Sequence, residues 1–205
     1  FFQEICTNRN QKFIYVDTSN LESIKKNITE NTKAIFIESP TNPMMKVTDI
    51  AGVAKIAKEK KILTICDNTF LTPFFQKPLD LGVDISVCSA TKFIGGHNDT
   101  LAGLIAVKDS ELGEKIRFIQ NTVGSGLAPF DSWLMLRGLK TLGIRMQRQE
   151  ENAKAIAEFL LTHSLVDKVY YPGLSSHEGY SVSKSQSFGF GAMILVIPTI
   201  QIFLE

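Results

Sequence analysis

A chain of 205 residues can bury one substantial core and hold one domain plus part of another, but not two complete domains. Apolar residues at 44%, charged residues at 21% and a net charge of +1 give ordinary globular material, with no excess charge to draw it to nucleic acid or an anionic membrane, so the expected partner is a small molecule. Three cysteines, Cys6, Cys66 and Cys88, lack CxxC spacing and two of them sit in apolar runs, which reads as reduced core thiols of a cytoplasmic protein.

In chain order, Phe1 to Ile5 carries no initiator Met, turn signal or charged-then-apolar leader, and secretion is not expected. Phe13 to Val16 predicts a strand, and Ser19-x-x-Glu22 has capping-box spacing for a short helix over Leu21 to Lys26. Ala34 to Ile37 predicts a strand, Ile50, Val53, Ala54 and Ala57 one apolar helical face, and Ile62 to Cys66 a second strand, which together make a βαβ unit. Ile85 to Cys88 and Leu104 to Val107 add two strands, the second beyond a glycine loop. Met135, Leu139, Leu142, Met146, Ala153, Ile156 and Leu160 hold one stripe, predicting a long helix with a kink near Gly138 or Gly143. After Tyr171-Pro172-Gly173, residues 175–187 read as mixed helix and loop and Ala192 to Ile197 as a strand opening a second, truncated domain. Ile200 to Glu205 stop within a helical pattern, so both ends look cut. No apolar run is long enough to cross a bilayer. The fold class is α/β with a mostly parallel sheet flanked by helices. Residues 1–140 form the first part; residues 141–205 supply a connecting helix and the beginning of a smaller α+β domain.

Three predicted strands end in polar residues: Glu38 to Pro43, Asp67-Asn68-Thr69, and Ser89-Ala90-Thr91-Lys92. Ligands of parallel α/β sheets bind beyond the carboxyl ends of the strands, so these residues are expected on one rim. The assortment suits pyridoxal phosphate. Its aldehyde condenses with a lysine amine, its ring nitrogen needs a carboxylate to stay protonated, and its phosphate needs hydroxyl and backbone donors. Lys92 is the expected attachment site and Asp67 the partner of the ring nitrogen. Ser89 and Thr91, two apart on an extended backbone, share a face toward the phosphate, and Asn42 is placed near the ring oxygen or the substrate. His97, among glycines, reads more simply as a partner of loop carbonyls. Gly95-Gly96 and Phe188 to Gly191 lack a full phosphate-loop fingerprint and read as turns.

The run Asp84 to Asp99, with Ser89-Ala90-Thr91-Lys92 at its centre, resembles the lysine motif of the Cys/Met-metabolism pyridoxal-phosphate family, whose members include cystathionine synthases and lyases. Glu38 to Pro43, Asp67 to Phe70, Pro129 to Trp133, Arg137 to Leu142 and Tyr171 to Leu174 also resemble family blocks. The resemblance implies a fold-type-I aminotransferase-like architecture, in which residues 1–140 are part of the large cofactor-binding domain. It also implies the same roles for Lys92, Asp67, Ser89, Thr91 and Asn42. Cys88 stands where many members have histidine. The family's Gly-Met phosphate cup, ring-stacking tyrosine, intersubunit tyrosine and arginine, and substrate-carboxylate arginine have no match in these residues. A homo-oligomer, tetrameric by resemblance, is expected. The blocks from Gly95 to Gly103 and Pro129 to Trp133 look most like γ-synthases, implying γ-replacement of an activated homoserine by cysteine to give cystathionine. The alternatives are β- or γ-elimination by a cystathionine lyase and, more remotely, a catalytically silent structural fragment. Ala90, where methionine γ-lyases tend to have Val, speaks against that activity.

Overall fold

The structure, a computed structural model, describes residues 11–199; Cys6 and both chain ends, Phe1 to Ile5 and Ile200 to Glu205, lie outside the described residues. Phe13 to Val16 does not form the expected strand. Val16 packs on the core of the sheet. Helix α1, Leu21–Asn27, begins where expected, but its cap is Asn20 and not Ser19: Ser19 donates its N–H and hydroxyl to Asp17 Oδ1 (3.1 and 2.6 Å), and Asn20 Oδ1 accepts from Glu22 N and Ser23 N. An Asx turn formed before the helix thus takes the hydroxyl away from the cap.

Strands β1 (Ala34–Glu38), β2 (Leu63–Asp67), β3 (Ile85–Ser89) and β4 (Gly103–Val107) form one sheet in that order, parallel from β1 to β3 and antiparallel at β4. Helix α2, Ile50–Glu59, capped by Asp49, crosses from β1 to β2 and buries Ile50, Val53, Ala54 and Ala57, the face read from the sequence. These side chains meet Ile24 of α1 with Ile35, Ile37 and Cys66 of the sheet. On β3 the same sheet face, through Cys88, meets Met135. The opposite face is far less covered: Phe36 is 43% and Ile105 58% exposed, although parallel sheets are normally buried on both sides.

A short helix α3, Thr72–Phe75, follows β2. Helix α4, Ser110–Val123, was not expected. It is capped by Asp109, whose carboxylate accepts from Leu112 N (2.6 Å), and stopped by Gly124 at φ 77°, and it buries none of its residues. The predicted long helix is two, α5 (Pro129–Leu139) and α6 (Leu142–Leu160), broken at Lys140-Thr141 rather than kinked at a glycine. Met135, Leu142, Met146 and Ala153 are buried as expected, but Leu139 and Ile156 face solvent and Ala157 takes the inner position.

Beyond α6, β5 (Val166–Tyr170) pairs antiparallel with β6 (Leu195–Pro198), and α7 (Tyr180–Gln186) lies between them in sequence. β5 is a second unexpected element, and β6 starts three residues after the predicted strand. A separate core of Ala153, Ala157, Tyr171 and Leu174 joins α6 to this part, with the Tyr171 hydroxyl donating to Gly191 O (2.9 Å). No described helix is long and apolar enough to cross a membrane.

Cys66 and Cys88 are free and buried. Burial, with the Asp67 charge as a second cause, pushes both thiols up, that of Cys88 to about 11. Because the thiolate is the reactive form, alkylation of these two cysteines at pH 8, followed by peptide mapping, is expected to be slow in the native protein and fast in urea. Rapid native labelling of either would contradict this burial.

Candidate active site at the strand ends

Glu38 and Asp67 are register partners across β1 and β2, and Asp67 pairs with Val87, two residues before Ser89. With side chains alternating along each strand, Glu38, Asp67 and Ser89 project from the same, less covered face at the carboxyl edge of the sheet. Glu38 is half-buried. Loss of water holds its carboxyl above the usual carboxylate range, a hydrogen bond from Asn42 N (3.3 Å to Oε2) works the other way, and the Asp67 charge raises it further. Asn42 is exposed in the loop after β1 and is tied to the rim by this backbone bond.

Asp67 is held by its own turn. Its Oδ1 accepts from Thr69 N (2.9 Å) and from Thr69 Oγ1 (2.6 Å), and Thr69 Oγ1 in turn accepts from Ser89 N (2.8 Å). Beneath it, buried Asn68 donates from Nδ2 to Gln76 O (2.8 Å). Gln76 Nε2 donates to Asn68 Oδ1 (3.0 Å) and Ser39 O (3.1 Å), and the Ser187 hydroxyl donates to Gln76 Oε1 (2.8 Å). This amide network fixes the loops after β1 and β2 against each other and against the segment after α7.

Strand β3 ends at Ser89 in a tight turn, closed by Lys92 N donating to Ser89 O (3.2 Å) and Gly95 N to Ala90 O (2.8 Å). The extended spacing expected for Ser89 and Thr91 therefore stops at Ser89. The Thr91 hydroxyl donates to Ala102 O (3.2 Å) and accepts from Ala102 N (3.0 Å), bracing the turn against the start of β4. Lys92 is exposed, and among the described residues its ammonium makes no ion pair. His97 Nδ1 donates to Gly95 O (2.8 Å), the loop role that its glycine neighbours suggest.

Two features of this turn were not read from the sequence. Arg145, on α6, donates to Phe93 O (2.6 Å), Ile94 O (3.3 Å), Gly138 O (2.9 Å) and, through Nε, to Thr141 Oγ1 (3.0 Å). One guanidinium thus holds the Lys92 turn and the last turn of α5 together. In sequence such an arginine reads as a solvated surface charge. Gly96, at φ 72°, is left-handed and leaves no room for a side chain, since a Cβ there would meet Arg145 Nη1 at 2.1 Å. Arg145→Ala strips the carbonyls of a charged donor and is expected to cost about 1.5–3 kcal/mol. Arg145→Lys is expected to recover little, because a point-like ammonium cannot span the carbonyls. Chemical denaturation of both variants measures this; a lysine variant as stable as the parent would refute the bracing role.

The available groups fit the chemistry of pyridoxal phosphate: a lysine amine outside any ion pair, a carboxylate whose Oδ2 makes no hydrogen bond among the described residues, and a serine hydroxyl beside the backbone N–H groups of a turn. No cluster of three or more His, Cys, Asp or Glu suited to a metal exists among the described residues.

Residues 1–198 match the family model for Cys/Met metabolism PLP-dependent enzymes. The chain is 53% identical over 180 residues to a cystathionine gamma-lyase of Bacillus subtilis (strain 168), covering 88% of this chain and 48% of that protein. It is 45% identical over 196 residues to a probable cystathionine gamma-synthase of Herpetosiphon aurantiacus, covering 96% of this chain and 61% of that protein. Its fold superposes with a TM-score of 0.95 on the crystal structure of cystathionine gamma-lyase from Lactobacillus plantarum complexed with L-serine, at 46% identity, covering 97% of this chain and 52% of the other. The chain spans about half the length of the B. subtilis and L. plantarum proteins. Motifs and fold agree, and the chain belongs to the Cys/Met-metabolism PLP-dependent enzyme family.

Proposed function

We propose that this chain forms the cofactor-bearing core of a trans-sulfuration enzyme that makes or breaks the C–S bond of cystathionine. The observation that carries the reading is the joining of Asp67 through one hydroxyl to the end of the strand that leads into the Lys92 turn, at the carboxyl edge of a parallel sheet. Residues 1–140 are part of the large cofactor-binding domain in this reading, and residues 141–205 the connecting helix and the beginning of the small domain. The assembly is a homo-oligomer, tetrameric by family resemblance, and cytoplasmic.

Pyridoxal phosphate bound there would supply an electron sink for charge developing at the substrate α-carbon. Lys92 would hold it covalently, and the Lys92 amine, when free, would be the base for the α-proton. Asp67 keeps a proton on the ring nitrogen. The Ser89 and Thr91 hydroxyls and the N–H groups of their turn hold the phosphate, with the Thr91 hydroxyl turning from Ala102 to do so, and Asn42 donates toward the ring oxygen. With that sink available, γ-replacement of an activated homoserine by cysteine, the reaction implied by the motif blocks, would release the γ-substituent and give cystathionine, the α- and β-protons being returned to carbon. The higher identity to lyases supports elimination equally well, with release of 2-oxobutyrate or pyruvate and ammonia.

The test adds pyridoxal phosphate to the purified protein, follows the visible band, fixes it with borohydride, and maps the labelled peptide. Attachment at Lys92 is the expected result. Cystathionine from an activated homoserine and cysteine identifies a synthase, and a 2-oxo acid with ammonia identifies a lyase. No band and no label, both in this chain and in a version extended at both ends, would defeat the enzyme reading and leave a structural fragment.

A further inference from the structure

The β2–β3 ladder ends at Asp67 and Val87, apart from one bond from Asn68 N to Val87 O (2.8 Å). Beyond it the two strand ends are joined by the hydroxyl of Thr69. That hydroxyl has one proton, which goes to Asp67 Oδ1 (2.6 Å), and its lone pair receives Ser89 N (2.8 Å). Thr69 N adds a second donor to the same carboxylate oxygen (2.9 Å). Each partner therefore fixes the role of the other: because Ser89 N can only donate, the hydroxyl hydrogen is free to serve the carboxylate. Both donors fall on Oδ1, and among the described residues Oδ2 makes no hydrogen bond. Glu38 lies across the register on the next strand, so a rotated Asp67 side chain would meet a second carboxyl on that side.

We infer that Thr69 is a positioning residue for the cofactor site, clamping Oδ1 of Asp67 so that Oδ2 presents to a protonated ring nitrogen, and setting the distance between that carboxylate and the turn that carries Lys92. The inference rests on the pyridoxal-phosphate reading and deepens it. A threonine two residues after an aspartate more often only closes an Asx turn. The bond to Ser89 N, on the neighbouring strand, is what a mere turn does not explain. The hydroxyl thus links the strand bearing the ring-nitrogen carboxylate to the strand that leads into the Lys92 turn.

Thr69→Val keeps the shape and removes the hydroxyl, leaving Ser89 N without its partner and Asp67 with one donor. Thr69→Ser keeps the hydroxyl. The experiment measures the dissociation constant for pyridoxal phosphate, the pH midpoint of the visible band, and the melting temperature of the cofactor-free protein for all three forms. Thr69→Val is expected to weaken cofactor binding about 10-fold, the loss of roughly one charged hydrogen bond, and to shift the pH midpoint, while Thr69→Ser restores both. A valine variant with only a lowered melting temperature, and with affinity and midpoint unchanged, would overturn the positioning role while leaving the cofactor reading intact. Parent protein that forms no band and no borohydride adduct at Lys92 would instead overturn the cofactor reading, and this inference with it.

Discussion

Lys92→Ala is expected to abolish covalent attachment of pyridoxal phosphate and to leave the melting temperature of the cofactor-free protein nearly unchanged. The structure separates the two effects. The Lys92 side chain is exposed and outside the ion pairs of the described residues, while the turn around it is held by backbone bonds and by the buried Ile94. Substitutions at such sites stay within about 0.5 kcal/mol. Chemistry has no such reserve. Loss of the amine removes the attachment point, and loss of a general base alone lowers rates by about 10²–10⁴. Lys92→Arg is not expected to rescue either, since a guanidinium stays protonated and does not condense with the aldehyde. Borohydride labelling, product formation and melting of the three proteins provide the comparison. A retained adduct in Lys92→Ala would move the attachment site elsewhere.

Gly138→Ala should destabilise the protein, against the sign that helix propensity gives. Within α5, replacing glycine by alanine favours the helix by about 0.8–1 kcal/mol where nothing else intervenes. At Gly138 a Cβ would stand 2.3 Å from Gly95 O and 3.0 Å from both Gly95 C and Ile94 O. These are backbone atoms of the Lys92 turn, which is pinned by Arg145 and cannot swing aside as a side-chain tip would. Overpacking of this kind costs about 1–3 kcal/mol, so the net sign is destabilising, and Gly138→Val is worse. Because the pressure falls on the Lys92 turn, cofactor affinity should drop together with stability. Gly143→Ala, whose Cβ would meet only the Phe74 ring at 3.1 Å, and Gly103→Ala, which meets nothing within 4 Å, are the controls. Urea denaturation midpoints at constant slope report the stability change; an increase for Gly138→Ala would show that α5 sits farther from the turn.

The two glycines that looked like helix kinks show where local reading stops. Gly138 and Gly143 are visible in the sequence, and a glycine in a helical stripe ordinarily signals a bend. The chain breaks instead at Lys140-Thr141, where the Thr141 hydroxyl donates back to Gly138 O (3.2 Å) and Arg145 reaches over the end of α5. Met135, Leu142, Met146 and Ala153 nonetheless stay on one buried stripe across the break, while Leu139 and Ile156 lie at its exposed margins. Helix α4 is a different case. Its Asp109 cap and Gly124 stop were legible, and Leu112, Ile116, Ile119 and Val123 recur at helical spacing, yet none of its residues is buried among the described residues.

The sequence by itself determined the alternating α/β order, the buried face of α2, and the polar rim with Asp67, Ser89 and Lys92, because strand periodicity, cap chemistry and residue type at strand ends are local properties of the chain. Only the tertiary structure decided what holds those residues. The antiparallel β4, the exposed second face of the sheet, the Thr69 bridge between strand ends, and the Arg145 clamp on the Lys92 turn all depend on contacts between segments distant in sequence. Hydrogen-bond partners and close backbone approaches across 20 to 52 residues leave no periodic trace, since a threonine or an arginine satisfies its local rules equally well facing water.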